Sequence, residues 1–246
     1  MKQDKITIAV RRELKKYIDI AYRDGERKFF KEPIKNIGVR LPSRRRVAQK
    51  LWPRVNSLTK PQLFKVCEKL FSGFSEETTI ASAWLWRSRQ KFEAEDFKQF
   101  EIWMDKYFDN WSKIDDFCTH VLGYLINHFP RLAPKVFSWT KSKNRWMRRA
   151  AAVSLIYPWG KPKQFLPQIL KTAQALLEDR DDLVQKGYGW MLKEAGNHNQ
   201  AAVFDFVMKH KSKMPRTALR YAIEKFPAKL KQQAMTLSHT GCVIIS

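Results

Sequence analysis

Apolar residues recur at intervals of three and four positions along nearly the whole chain. This spacing places side chains on one side of an α-helix. Alternating apolar and polar runs, which would indicate β-strands, are almost absent, and so are the Asn-Gly and Asp-Gly pairs typical of hairpins. The pattern therefore predicts an all-α protein of about a dozen helices, joined by short turns that contain proline or glycine.

The same pattern predicts where individual helices lie. The N-terminal part should hold two helices, the first carrying Leu14, Ile18 and Ala21 and the second, which ends near Gly38, carrying Phe29, Phe30 and Ile34. After Pro42, Ser43 is placed as the N-cap of a helix that begins with Arg44, Arg45 and Arg46. Later helices are expected near residues 63–71, 80–86, 97–108, 110–129, 144–157, 165–177, 183–192, 201–209 and 217–226.

Three tryptophan-bearing helices suggest an internal repeat. Trp111, Trp146 and Trp190 are separated by 35 and 44 residues, which is near the repeat length of HEAT-type solenoids. We therefore predict a HEAT-like helical repeat solenoid, a superhelix of antiparallel helix pairs with a concave basic groove. No change in composition divides the chain, so residues 1–238 are expected to form a single domain, followed by a disordered tail at 239–246.

The charge of the chain indicates its partner. Its 47 Lys and Arg residues outnumber 24 Asp and Glu residues, which gives a net charge of +23. The basic residues are spread over the whole sequence, whereas a protein that binds a membrane surface usually concentrates them in one helix or cluster. No apolar run approaches the roughly 20 residues of a membrane-spanning helix. A nucleic acid is the favoured partner, and the protein is expected to be a monomer.

Several common catalytic signatures are absent from the sequence. There is no Walker loop, no GxGxxG after a strand, no HExxH and no CxxC, and the 5 histidines have no ligand spacing. The three cysteines, Cys67, Cys118 and Cys242, have neither metal-ligand nor redox spacing, and no secretory signal opens the chain. We therefore expect no metal, no nucleotide and no other cofactor. The cysteines and the N-terminal sequence predict a protein of the reducing cell interior.

Carboxylate, indole and arginine are the remaining candidate groups. Trp111 and Asp115 stand four positions apart, on one face of a helix. A second helix carries Arg148 and Arg149 after a tryptophan, and a third carries Trp190. The spacing within each helix does not determine whether the three faces converge, and tryptophans at helical spacing are more often core residues than ligands. The other tryptophans are expected in the core or in the wall of the groove: Trp84, Trp86, Trp103, Trp139 and Trp146.

Three ordered motifs resemble a known family. The runs NWSKIDDFCTH, NRWMRRAAAV and QKGYGWMLKEAG are similar to the hallmark segments of the AlkD-like DNA alkylation repair family, which consists of HEAT-like alkylpurine DNA glycosylases. The similarity extends from about Phe29 to about Phe226. It implies a monofunctional glycosylase that hydrolyses the N-glycosidic bond of 3-methyladenine- and 7-methylguanine-type lesions in double-stranded DNA, without flipping the base.

The resemblance also implies roles for individual residues. Asp115 matches the catalytic aspartate, Trp111 and Trp190 match the tryptophans that pack against the sugar of the damaged nucleotide, and Arg149 matches the active-site arginine. The residue after Trp190 that is usually arginine is Lys193 here, which keeps the charge but not the bidentate geometry. Expected DNA contacts are Arg148, Lys186, Lys193, Arg44 and Arg45. For the arginines that follow Pro42, a solvated first turn of a helix is an equally good interpretation.

Two sites remain uncertain at the sequence level, and two other functions compete. Asp116 is the immediate competitor of Asp115, and Arg40 and Leu41 depart from the uncharged hydrogen-bonding residues that relatives can carry before Pro42. The alternative function is that of a non-catalytic HEAT-like protein that binds unusual or branched DNA. A protein-binding scaffold is disfavoured by the charge. The expected location is the cytoplasm, associated with the nucleoid in a bacterium, or the nucleus in a eukaryote.

Overall fold

The computed structural model describes residues 2–157 and 164–236. Within these residues it contains fifteen α-helices, and its only β-pairing is an isolated bridge between Ile18 and Val39. The prediction of an all-α protein is therefore confirmed. The chain divides into two compact units, Met1–Leu132 and Ala133–Ser246, here called unit 1 and unit 2. A single domain over residues 1–238 stays a prediction, and the expected disordered tail at 239–246 lies outside the described residues.

Unit 1 contains eight α-helices in the part that the structure describes. They are α1 (Lys2–Lys15), α2 (Ile20–Arg27), α3 (Leu41–Asn56), α4 (Lys60–Phe71), α5 (Ser75–Arg87), α6 (Asp96–Tyr107), α7 (Trp111–Phe117) and α8 (Gly123–His128). A π-helical turn, Cys118–Leu122, joins α7 to α8 without a break, and a short 3-10 helix, Arg89–Lys91, follows α5. Among residues 2–157 and 164–236, no helix has both the length and the hydropathy to cross a lipid bilayer.

Helices α3, α5 and α7 run side by side in the same direction. The Trp84 indole of α5 donates to the Ala48 carbonyl of α3 at 2.9 Å, and farther along both helices Arg87 lies over the Trp52 ring. From α5 to α7 the partners advance in the same way, from Ser82 beside Asp116 to Trp86 beside His120. Alternate helices thus share a layer, as in a helical repeat.

Helices α4 and α5 form an antiparallel pair. Only residues 72–74 separate them, and across this turn the Cys67 thiol of α4 lies 3.8 Å from the Ala81 carbonyl of α5. The core of the unit is aromatic, with Phe71, Trp84 and Trp103 at most 1% exposed. Unit 1 therefore has the helix pairing predicted for a repeat fold.

The two predicted N-terminal helices are wrong in their boundaries. Helix α1 ends at Lys15, and the Asp19 carboxylate starts α2 by accepting the Tyr22 N–H at 2.9 Å, so Ile18 lies between two helices. The predicted helix with Phe29, Phe30 and Ile34 is absent, because α2 ends at Arg27 and a non-helical segment leads to α3. Phe29 is 80% exposed, so this apolar residue does not mark the buried face of a helix.

The start of α3 also differs from the prediction. The helix begins at Leu41 with Arg40 at the N-cap, so the prediction of Ser43 as N-cap is wrong. Pro42 lies in the first turn, where a residue without an N–H group costs no hydrogen bond. The helix therefore begins before the proline rather than after it.

A buried carboxylate fixes the segment that leads into α3. Glu76, in the first turn of α5, is fully buried, and its Oε1 accepts the N–H groups of Ile37, Gly38 and Val39 at 3.1, 2.9 and 3.1 Å. Gly38 has φ of +87°, a conformation that favours glycine. One side chain thus holds three consecutive peptide groups and ties the approach to α3 to the start of α5.

Unit 2 is built around its longest helix. Its α-helices are α9 (Ala133–Ser138), α10 (Arg145–Val153), α11 (Leu166–Ala175), α12 (Asp182–Gly196), α13 (Gln200–His210), α14 (Arg216–Ala222) and α15 (Ala228–Met235). Helix α12 packs against α10, α11, α13 and α14. Its buried Tyr188 donates to the Leu177 carbonyl at 3.1 Å, which fixes the link from α11 to α12.

Replacing Glu76 should destabilise the protein strongly. We expect Glu76→Ala to lower the free energy of unfolding by about 3 kcal/mol, because three buried N–H groups lose a charged acceptor. Glu76→Gln should cost less, since it retains an acceptor oxygen. Urea denaturation of both variants, followed by tryptophan fluorescence, measures the effect.

The matched control is Glu95→Ala, whose side chain is 80% exposed. It should change stability by no more than about 0.5 kcal/mol. A Glu76→Ala protein as stable as this control would contradict the anchoring role.

Candidate functional site

The candidate residues of unit 1 lie on α7. The Asn110 side chain caps this helix by accepting the Lys113 N–H at 3.1 Å, so the helix begins at Trp111. The Trp111 indole is half-buried and stacks on the Phe30 ring, with ring centres 5.1 Å apart and planes inclined by 14°. Asp115 follows one turn later and is also half-buried. The structure therefore places the predicted pair one turn apart on a capped helix.

A π-helical turn begins at Cys118, three residues after Asp115. The Gly123 N–H donates to the Cys118 carbonyl, five residues back, and the Thr119 hydroxyl donates to the Asp115 carbonyl at 2.7 Å. The His120 Nδ1 lies 2.8 Å from the Asp116 carbonyl. Turns of this kind occur often at functional sites. Sequence reasoning missed it, and the available signal was the polar pair Thr119 and His120 inside an apolar helix.

Asp116 has different surroundings from Asp115. Desolvation by the surrounding protein raises the pKa of the Asp116 carboxyl, and the neighbouring charge of Asp115 acts in the same direction. His120, Ser82 and Arg45 oppose the rise. Asp116 thus belongs to a local cluster from α3, α5 and the α7 helix.

The arginines at the start of α3 point to different partners. Arg44 is buried, and its guanidinium donates to Glu26 at 2.8 Å and to the Val39 carbonyl. Arg45 is exposed, and its positive charge opposes the rise in the pKa of Asp116. Arg46 lies over the Tyr17 ring, 6.0 Å from its centre. Arg44 therefore serves internal contacts, and Arg45 is the member of the predicted pair whose side chain is accessible.

The candidate residues of unit 2 lie on α10 and α12. Arg149 of α10 is buried and donates to the Leu183 carbonyl of α12. Its side chain passes over Gly187, where an added Cβ would lie 3.3 Å from Cγ and 3.4 Å from the guanidinium nitrogen. Leu183, Gly187 and Trp190 recur at helical spacing on one face of α12. The structure thus brings Arg149 and Trp190 to the same face of this helix.

Trp190 is fixed by a hydrogen bond along its own helix. The half-buried indole donates from Nε1 to the Glu194 carboxylate at 3.0 Å, one turn later. This contact sets the orientation of the ring. The predicted tryptophan is therefore an ordered side chain at the protein surface rather than a core residue.

The other predicted DNA-binding residues of unit 2 are ion-paired with carboxylates. Arg148 donates to Asp179 at 2.7 Å. Lys186 pairs with Asp182 at 3.3 Å, and Lys193 pairs with Glu224 at 3.4 Å. A phosphate at any of these positions would compete with a carboxylate. Sequence reasoning missed these pairs, although the acidic run EDRDD before α12 was the available signal.

The described residues offer this site no metal-binding group. In residues 2–157 and 164–236 there is no cluster of three or more His, Cys, Asp or Glu side chains that could hold a metal ion. Unit 1 offers a carboxylate and an oriented indole, and unit 2 offers an oriented indole and a buried guanidinium. Such groups can bind a cation, an aromatic ring or a phosphate.

Comparison with known proteins identifies the family. The sequence model described as "DNA alkylation repair enzyme" matches residues 10–226. The chain belongs to this family. The resemblance found in the three motifs is therefore confirmed, and the match begins at Val10, well before Phe29. DNA is accordingly the substrate that membership of the family implies. No curated protein matches the chain.

A solved structure supports the fold of this DNA alkylation repair family member. A protein from Enterococcus faecalis, described as a predicted DNA alkylation repair enzyme, has a TM-score of 0.72 and 17% sequence identity with the chain. The match covers 86% of this chain and 97% of the other. The similarity shows a shared all-helical fold.

The contact between Gly187 and Arg149 predicts an unusual variant. We expect Gly187→Ala to reduce activity on methylated DNA, because the new methyl group pushes on the Arg149 side chain. The same change should raise helix stability by up to about 1 kcal/mol. Activity assays and urea denaturation of one preparation measure both effects.

The control for this variant is Gly25→Ala in α2, where an added Cβ meets no atom within 4 Å. It should leave activity unchanged. Full activity in Gly187→Ala would mean that the position of Arg149 is not limiting.

Proposed function

We propose that the protein is a monofunctional DNA glycosylase, which hydrolyses the N-glycosidic bond of cationic alkylated purines in duplex DNA. The observation that carries this proposal is Asp115, a half-buried carboxylate one turn from Trp111 on a capped helix, in a chain of the DNA alkylation repair family. A carboxylate beside an electron-rich ring suits a reaction in which positive charge develops.

The chemistry of the lesion explains why a carboxylate is sufficient. A purine alkylated at N3 or N7 carries a positive charge, so the base leaves with the bonding electrons and needs no added proton. Positive charge then grows on the deoxyribose, as in other glycoside hydrolyses. Asp115 would stabilise this charge. Water adds to C1′ of the sugar, and Asp115 would accept the proton that the water loses.

The two tryptophans and Arg149 would assist in different ways. The faces of Trp111 and Trp190 would attract the cationic nucleotide, with about 0.5–2 kcal/mol for each contact. Phe30 and Glu194 support this role because they fix the orientation of the two rings. Arg149 would bind a phosphate beside the lesion. The burial of the Arg149 side chain limits the freedom that binding must remove.

The proposal extends to the mode of DNA binding. We place Arg45, Arg148, Lys186 and Lys193 as phosphate contacts, with no base flipping and no cofactor. At Arg148, Lys186 and Lys193, a DNA phosphate would take the place of a carboxylate. The carboxylates belong to Asp179, Asp182 and Glu224. Binding should therefore weaken as salt rises. The proposal includes a protein that acts as a monomer, in the cellular compartment that contains the DNA.

Asp115 and Asp116 provide a matched pair of variants for the test. Wild type, Asp115→Asn and Asp116→Asn are incubated with DNA that contains 7-methylguanine, and the released base is measured. We expect Asp115→Asn to lower the rate by about 10²–10³-fold, the usual loss on removing a group that stabilises transition-state charge. Asp116→Asn should retain most of the activity.

The outcomes separate the alternatives. Equal release from wild type and Asp115→Asn would remove Asp115 from the mechanism. A larger loss in Asp116→Asn would transfer the catalytic role to that residue. Absence of release from all three proteins, with DNA binding intact, would favour the non-catalytic function.

A further inference from the structure

An arginine outside the candidate site lies against two aromatic rings. The Arg89 guanidinium carbon lies 4.2 Å from the centre of the Trp86 ring and 5.6 Å from that of Tyr124. Its Nη1 donates to the Trp86 carbonyl at 3.0 Å. The side chain is half-buried, so its position is fixed while part of it stays accessible.

One of the two rings that contact Arg89, that of Tyr124, belongs to the same continuous helix as Asp115. Asp116, His120, Tyr124 and His128 follow one another at intervals of four along α7, the π turn and α8. Trp86 of α5 meets His120 and Tyr124 edge-on, with ring centres 5.8 and 6.2 Å apart. From Asp116 to Tyr124 the helix rises about 12 Å. Arg89 therefore lies about two helical turns from Asp116, beside the same helix.

Arg89 differs from the arginines of unit 2 in its electrostatic partners. Arg145 and Arg148 are paired with Asp181 and Asp179 at 2.7 Å. Within the part of the chain that the structure describes, Arg89 has aromatic rings and a carbonyl as its partners, and no carboxylate. A guanidinium on an aromatic face keeps its full charge and its planar set of donors. An anion could bind it without displacing an acidic group.

We propose that Arg89 is a pre-oriented contact for a DNA phosphate, held in place by Trp86 and Tyr124. The phosphate would belong to the strand that extends from the candidate site on α7. This inference rests on the proposed function, because it assumes that the protein binds DNA. The entropy cost of ordering the Arg89 side chain on binding is low, because the two rings already hold its guanidinium in place. The competing explanation is that Arg89 only ties the 3-10 helix after α5 to α8.

The salt dependence of duplex binding distinguishes the two explanations. We expect Arg89→Gln to weaken binding of an undamaged duplex several-fold, and to reduce the slope of log affinity against log salt by roughly 0.9, the value for one phosphate contact. Arg89→Lys should retain the slope but bind more weakly than wild type, because it loses the planar stack. Arg12→Gln on α1, an exposed arginine, is the control and should match wild type.

The result also separates this inference from the proposed function. Base release from 7-methylguanine DNA is measured with the same proteins. A wild-type slope in Arg89→Gln, with base release intact in wild type, would overturn the Arg89 contact alone. A reduced slope in Arg89→Gln with an unchanged melting temperature would support it, since a merely structural tie would lower stability and leave the slope unchanged.

Discussion

The position of α3 in unit 1 depends on the buried carboxylate of Glu76. A carboxylate without water is costly unless donors surround it, and the N–H groups of residues 37–39 supply them. Because Glu76 lies in the first turn of α5, the same contact sets the start of α3 against the start of α5. That alignment brings Arg45 near Asp116 and Trp52 under Arg87. The polar surface beside α7 therefore depends on an interaction far from it in sequence.

The net charge of +23 does not show which basic side chains are paired with acidic residues and which are not. In unit 2, Arg148, Lys186 and Lys193 each form an ion pair with a nearby acidic residue. In unit 1, Arg46, Arg87 and Arg89 lie on aromatic rings instead. These pairings order the side chains and leave their charge unopposed. For these three arginines, an aromatic ring rather than an acidic residue is the partner that orders the side chain.

Periodicity predicted the helices well where apolar side chains are buried. It failed from Ile18 to Gly38, because Phe29 is exposed and the Glu76 contact, which is remote in sequence, holds the chain in a non-helical path. The spacing of Trp111 and Asp115 was sufficient to place both on one helix. It could not reveal the stack on Phe30 or the burial of Arg44, since both depend on packing between distant segments. Family motifs, rather than spacing, linked Arg149 and Trp190 to the same chemistry.

The π turn at Cys118–Leu122 has a consequence for how the chain can change. A π turn holds one more residue than an α-helical turn, so deletion of a single residue there would leave an unbroken α-helix. Every side chain beyond the deletion would rotate by about 100° relative to Asp115. Tyr124 and His128 would then face other neighbours, while Trp111 and Asp115 stayed in place. Insertions and deletions at this turn would therefore change how the half of the helix that carries Trp111 and Asp115 is aligned with the half that carries Tyr124, although substitutions would leave the two halves aligned.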